Sequence, residues 1–75
     1  MKAPTLCANK DLRIGQKVML NDTFERDYPE GYDMLKNYIY IIKGFENRKM
    51  FAKTSFHGFE FSWYTAYLKD VKEGK

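Results

Sequence analysis

The hydrophobic positions of this chain fall into five short runs separated by polar or turn-forming stretches. KVML at 17–20 alternates, with Val18 and Leu20 on one face and Lys17 and Met19 on the other, as a half-buried strand does. It follows Ile14-Gly15, where glycine supplies the turn that brings the chain into the strand. NYIYIIK at 37–43 is strongly β-prone, and both of its faces, Ile39/Ile41 and Tyr38/Tyr40/Ile42, are largely apolar. KMFAKTSF at 49–56 sets Met50, Ala52, Thr54 and Phe56 against Phe51, Lys53 and Ser55. His57-Gly58 then leaves two residues for a tight hairpin turn, with glycine accepting the positive φ such a turn requires. FEFSWY at 59–64 alternates again, with Phe59, Phe61 and Trp63 inward as core rings and Glu60, Ser62 and Tyr64 outward. TAY forms a single helical turn, and LKDV at 68–71 is a short closing strand. No window carries a 3.6-residue apolar stripe over three turns, so the pattern predicts an all-β fold.

The connections differ in length and charge. Residues 21–36, NDTFERDYPEGYDMLK, read as a long acidic loop punctuated by the turn sequence Tyr28-Pro29-Glu30-Gly31-Tyr32. GFENRK at 44–49 reads as a short basic loop. The order is therefore strand, long loop, strand, short loop, strand, tight hairpin, strand, single turn, strand. One domain at 12–71 is expected, flanked by tails at 1–11 and 72–75.

That order resembles the Src-homology-3-like small β-barrel, a group that includes the bacterial and ribosomal KOW-type barrels. LRIGQKVML resembles the family's apolar–Gly–x–x–Val–x–Leu first strand. GFEFSWYTAYLKDV is similar to its last hairpin strand, turn and closing strand. The resemblance implies a five-stranded barrel with a long acidic loop after the first strand and one helical turn before the last. It places Tyr67 where the peptide-binding branch has a ligand-facing tyrosine, and Phe51 where that branch stacks a tryptophan on its ligand. The branch's signature proline is absent from Tyr64-Thr65-Ala66-Tyr67, which argues against an ordinary proline-rich peptide.

Composition narrows the class. Seventy-five residues lie near the lower limit for a fold held by a hydrophobic core alone. With 44% hydrophobic and 31% charged residues the chain is globular, and with 17% aromatic residues some rings must stay partly exposed. The single Cys7 excludes an internal disulfide and fits a reducing compartment. No run of residues has the length and apolarity of a signal peptide or a membrane span, so a cytoplasmic protein is expected. The net charge of +3 is modest but unevenly spread. Residues 21–36 hold five acids against Arg26 and Lys36, a balance of −3, which leaves +6 on the rest. The richness in Lys, Asn, Ile, Met, Phe and Tyr fits AT-rich codons, and hence a low-GC bacterium or its phage.

Catalysis finds no support. The lone His57 sits in a turn, Cys7 sits in a tail, and no nucleophile, base and orienting group can be assembled from them. One Cys and one His are too few for zinc, and the acids lack calcium-loop spacing, so neither metal nor cofactor is expected. Binding remains. Phe51, Tyr64 and Tyr67 are expected to floor a groove. It is flanked by the acidic stretch, with Tyr28, Glu30, Tyr32 and Asp33 on that wall, and by the basic GFENRK loop on the other, a pairing of charges suited to a mixed-charge partner. Tyrosine offers such a site a stiff apolar face with a polar tip. The favoured reading is a non-catalytic protein-binding module. Its small, single-domain profile resembles phage-encoded inhibitors of host replication or transcription proteins, which would place it in the host cytoplasm. The alternative is nucleic-acid binding, with Lys43, Arg48, Lys49 and Lys53 on phosphates and exposed rings stacked on bases. Weak self-association is also expected, since one apolar face of 37–43 cannot enter the core of a small barrel.

Overall fold

A computed structural model describes residues 6–71. Strand β1 spans Lys17–Leu20 and is followed by helices α1, Asp22–Asp27, and α2, Pro29–Leu35. Strands β2, Tyr40–Glu46, β3, Phe51–Phe56, and β4, Phe59–Tyr64, form a meander. A 3-10 turn at Thr65–Tyr67 leads into β5, Leu68–Asp70. All five strands belong to one antiparallel sheet in the order β4-β3-β2-β1-β5. The fold is thus mostly β with two short helices. Among the described residues no pairing joins the outer strands β4 and β5, so the sheet is open.

Turn chemistry fixes the register of the meander. His57 and Gly58 adopt φ of 51° and 84°, the two consecutive positive values of a type I′ turn, whose twist matches that of the flanking strands. Phe56 therefore pairs with Phe59, and every later pair down to Phe51–Tyr64 follows. Gly15, at φ 88°, makes the turn before β1 and donates its N–H to the Ile42 carbonyl at 2.7 Å.

The core lies where the alternating faces meet. Val18 and Leu20 of β1, Tyr40 and Ile42 of β2, Ala52 and Thr54 of β3, and Leu68 of β5 are almost wholly buried. Leu12, Phe24 and Tyr67 complete the cluster. Each fully buried aliphatic side chain contributes about 1.5–3 kcal/mol. The buried threonine hydroxyls are satisfied: Thr54 donates to the Phe61 carbonyl at 3.0 Å, and Thr65 to that of Lys49 at 2.7 Å.

Several expectations need correction. The acidic stretch 21–36 is two helices rather than a loop. Asn21 caps the first, its side-chain oxygen accepting from the backbone N–H groups of Thr23 and Phe24, and its amide donates to the Ala66 carbonyl at 2.9 Å. Pro29 opens the second at a position where its missing N–H costs nothing. Helices of six and seven residues, the first burying only Phe24 and the second nothing fully, are too short to show a periodic stripe. Strand β2 starts at Tyr40 rather than residue 37 and runs on to Glu46, because a bulge at Lys43 lets the ladder continue past Gly44. The basic loop shrinks to a turn at 47–50, with Asn47, Arg48 and Lys49 all at positive φ.

Burial along β4 departs furthest from the pattern. Phe59, Phe61 and Trp63 share the core-facing side, yet only Trp63 is half-buried, while Phe59 is 69% and Phe61 41% exposed. A strand at the sheet edge has neighbours on one side only, and among the described residues nothing buries the Phe59 end. Residues 6–11 are not loose either. Leu6 packs on the core, and Asn9 donates its backbone N–H to Thr65 Oγ1 at 2.9 Å and its amide to the Leu68 carbonyl at 3.3 Å. The tail positions 1–5 and 72–75 lie outside the described residues.

Candidate functional site

Helices α1 and α2 lean over one end of the sheet and leave a groove beside β4. Its cavity of about 720 Å³ is lined by Phe24, Tyr28, Phe51, Trp63, Tyr64 and Tyr67, together with Asp27, Pro29, Glu30, Gly31 and Ser62. The rings form a connected set. Phe24 packs edge-on against Trp63 at 5.6 Å and Tyr67 at 5.2 Å, and Tyr28 lies 5.2 Å from Phe24 and 6.1 Å from Tyr67. On the opposite wall Phe51 and Tyr64 are 4.6 Å apart, cross-strand partners in register, and Tyr64 meets Tyr67 edge-on at 5.8 Å. Such tilted and edge-to-face pairs stabilise one another beyond their burial, which stiffens the walls.

Five of the seven residues assigned to the groove from sequence line it: Tyr28, Glu30, Phe51, Tyr64 and Tyr67. Their depths differ. Tyr28 is 54% exposed at the rim, whereas Tyr67 is 6% exposed and belongs to the core, so it forms the base of the groove and not an open floor. Tyr32 and Asp33 do not line the cavity. Tyr32 packs against the core, and Asp33 pairs with Lys36 at 3.1 Å along α2. Phe24, Asp27 and Trp63 were not assigned to the groove from sequence. Reading 22–28 as helical would have found the first, because Phe24 and Tyr28 are four residues apart and share a helix face.

The charges on the groove are of one sign. Asp27 and Glu30 are its only charged lining residues among those described. Asp27 accepts from Arg26 Nε at 2.9 Å and from the Tyr67 hydroxyl at 2.9 Å, and these two bonds hold its carboxyl below the ordinary range. Burial, reinforced by the adjacent carboxylate, pushes the Tyr67 phenol up to about 12. At neutral pH the groove therefore presents a fixed anion against a phenol that keeps its proton. The indole Nε1 of Trp63 is buried without a hydrogen-bond partner.

The four cations of the nucleic-acid alternative are largely engaged or scattered. Lys49 donates to the carbonyls of Leu12 at 3.0 Å and Lys10 at 3.3 Å, and lies over the Phe45 ring at 4.8 Å. Lys53 pairs with Glu46 at 3.2 Å. Lys43 projects from the β2 bulge, and Arg48 sits in the following turn. None of the four lines the aromatic groove.

His57 is exposed in its turn with its ring edge-on to Phe56 at 4.3 Å, and Cys7 is exposed. Among the described residues no three His, Cys, Asp or Glu side chains converge on a common point, and no helix is long and apolar enough to cross a membrane. Comparison with known proteins gives no match to a family model, a curated protein or a solved structure.

Proposed function

We propose that this chain is a non-catalytic protein-binding module of the Src-homology-3-like small-barrel kind, gripping a basic, apolar-flanked segment of a protein partner in its aromatic groove. The observation that carries the reading is the groove itself, six rings walled by the carboxylates of Asp27 and Glu30, with no cation lining it among the described residues. Apolar side chains of a partner gain burial against the rings, and an arginine or lysine gains both the carboxylates and the ring faces. The same carboxylates repel a phosphate backbone, which weighs against nucleic acid at this site. The barrel assignment draws support from the order of elements, with a single 3-10 turn before the last strand and a two-residue hairpin before that. Fold alone assigns no partner, so the groove bears the argument.

The test is affinity capture from a low-GC bacterial lysate with wild-type protein and with Tyr28→Ala and Phe51→Ala variants immobilised in parallel. Mass spectrometry should identify a protein retained by the wild type and depleted on both variants. Recovery of nucleic acid alone, or equal retention on all three, would overturn the reading.

A further inference from the structure

Edge strands of soluble proteins are ordinarily blunted by being short, charged or covered. The two edges of this sheet are treated differently. Strand β5 has three residues, two of them Lys69 and Asp70, and the amide of Asn9 caps its Leu68 carbonyl. Strand β4 has six residues, FEFSWY, with Glu60 as its one charge and neither proline nor glycine. Its ladder partners are fixed by parity. The two-residue turn makes Phe56–Phe59 a hydrogen-bonded pair, and the Thr65 N–H to Met50 carbonyl bond at 2.9 Å continues that alternation. The backbone groups of Phe59, Phe61 and Trp63 thus face β3, and those of Glu60, Ser62 and Tyr64 face outward. Among the described residues none of these three makes a backbone bond to a turn, loop or cap.

We propose that a second copy of this chain covers that edge, two β4 strands pairing antiparallel about a two-fold axis at Ser62. The sequence is self-complementary in this register. Ser62 meets its own copy, Glu60 meets Tyr64, and about six backbone hydrogen bonds form through the outward-facing residues. On the core-facing side Phe61 comes opposite Trp63, an aromatic cross-strand pair, and each Phe59 gains cover from the second copy.

Charge and strand length together select the register: an axis nearer Glu60 brings the carboxylates together, and one at Trp63 runs the pairing past the end of β4 at Tyr64. With the axis at Ser62 the two Glu60 carboxylates stand about 14 Å apart along the strands, beyond the screening length of about 8–10 Å. Moving the axis to Phe61 halves that separation, and moving it to Glu60 sets the carboxylates face to face. Since β5 offers no equivalent edge, pairing through β4 closes at two copies. The depression lined by Ile39, Ile41, Ser55 and Phe56 is the rival surface, but nothing there specifies a register.

Sedimentation equilibrium should show a reversible monomer–dimer system for the wild-type chain. Ser62→Pro removes an outward N–H that the ladder does not use, and Phe59→Lys charges a ring that the fold leaves exposed. Each should weaken the dimer roughly tenfold or more while circular dichroism stays native. In a Cys7→Ser background, oxidised Ser62→Cys should form a covalent dimer, and Glu60→Cys should not. A strictly monomeric wild type, a dimer untouched by both folded variants, or cross-linking at Glu60→Cys in preference to Ser62→Cys would each overturn the proposal. The cysteine pair reads the register directly, so the outcome is decided even if Ser62→Pro fails to fold.

Discussion

The Tyr67 hydroxyl donates to Asp27 Oδ2 across 2.9 Å, joining the 3-10 turn before the last strand to the end of the first helix, forty residues away. This bond fixes how far α1 stands from the sheet, and so the width of the groove between them.

Tyr67→Phe should therefore loosen the groove more than the core. The ring and its packing remain, and the lost hydrogen bond lies at a partly solvated carboxylate, so the cost should be about 1 kcal/mol or less. Urea unfolding should show that small loss of midpoint. Amide exchange should rise in 22–28 before it rises in the strands.

The same pair sets two pH limits of opposite sign. Tyr67 is raised in the folded state from 10.0 to about 12, so its contribution is complete below about pH 10 and is lost as pH climbs toward 12. Asp27 is lowered, so its contribution is present above the ordinary carboxylate range and is lost as pH falls through and below it. Phenolate absorbance should show a late-ionising component, to which the buried Tyr40 phenol, also pushed up by burial, contributes beside Tyr67, and Tyr67→Phe should remove the Tyr67 share of it. Asp27→Asn should shift that share to lower pH and flatten the acid limb of the stability curve.

Burial predicts a gradient along β4. Trp63→Ala removes contacts to Phe24 and Tyr40 and should cost about 3–5 kcal/mol, enough to unfold much of so small a domain. Phe61→Ala, against Tyr40 at 5.8 Å but 41% exposed, should cost less than half as much. Phe59→Ala should fall within about 0.5 kcal/mol of wild type. Thermal denaturation of the three variants under one condition checks the order; equal losses at Phe59 and Trp63 would contradict it.

The hairpin offers the cleanest backbone test. Gly58→Ala places a Cβ at φ 84° and should destabilise by about 1 kcal/mol. His57→Asn puts the residue preferred at that position of a type I′ turn onto φ 51° and should stabilise by a few tenths of a kcal/mol. Chemical denaturation of both should give shifts of opposite sign with unchanged slope.

What could be read in the sequence is what is written at short range. The alternation of Val18 and Leu20, the His57-Gly58 turn and the pairing of β3 with β4 depend on neighbours along the chain, and they stand as expected. The helices at 22–35 were hidden because their stability comes from Asn21 reaching Ala66 and Phe24 reaching Trp63, contacts about forty residues away. The exposure of Phe59 and Phe61 was hidden for a related reason. Alternation tells which side of a strand a residue faces, but not whether anything lies over that side. In the groove, Tyr28 and Tyr64 were legible as rings beside turns, and Phe51 through the resemblance to the small barrels. Asp27 was not, since its importance rests on Tyr67 and not on its place in an acidic run.

The pairing of β1 with both β2 and β5 also bears on how the chain reaches this state. Strand β3 meets each neighbour through a turn of a few residues, whereas Val18 must find Asp70 across 52 positions of sequence. Closing so wide a loop is entropically costly, and chains dominated by such contacts fold slowly. On that ground we predict that the meander of β2, β3 and β4 forms early and that the closure of β1 with β5 comes late and sets the rate. A chain stalled before residues 68–70 dock would hold a formed hairpin beside an unsealed core, with Val18 and Leu20 still in water.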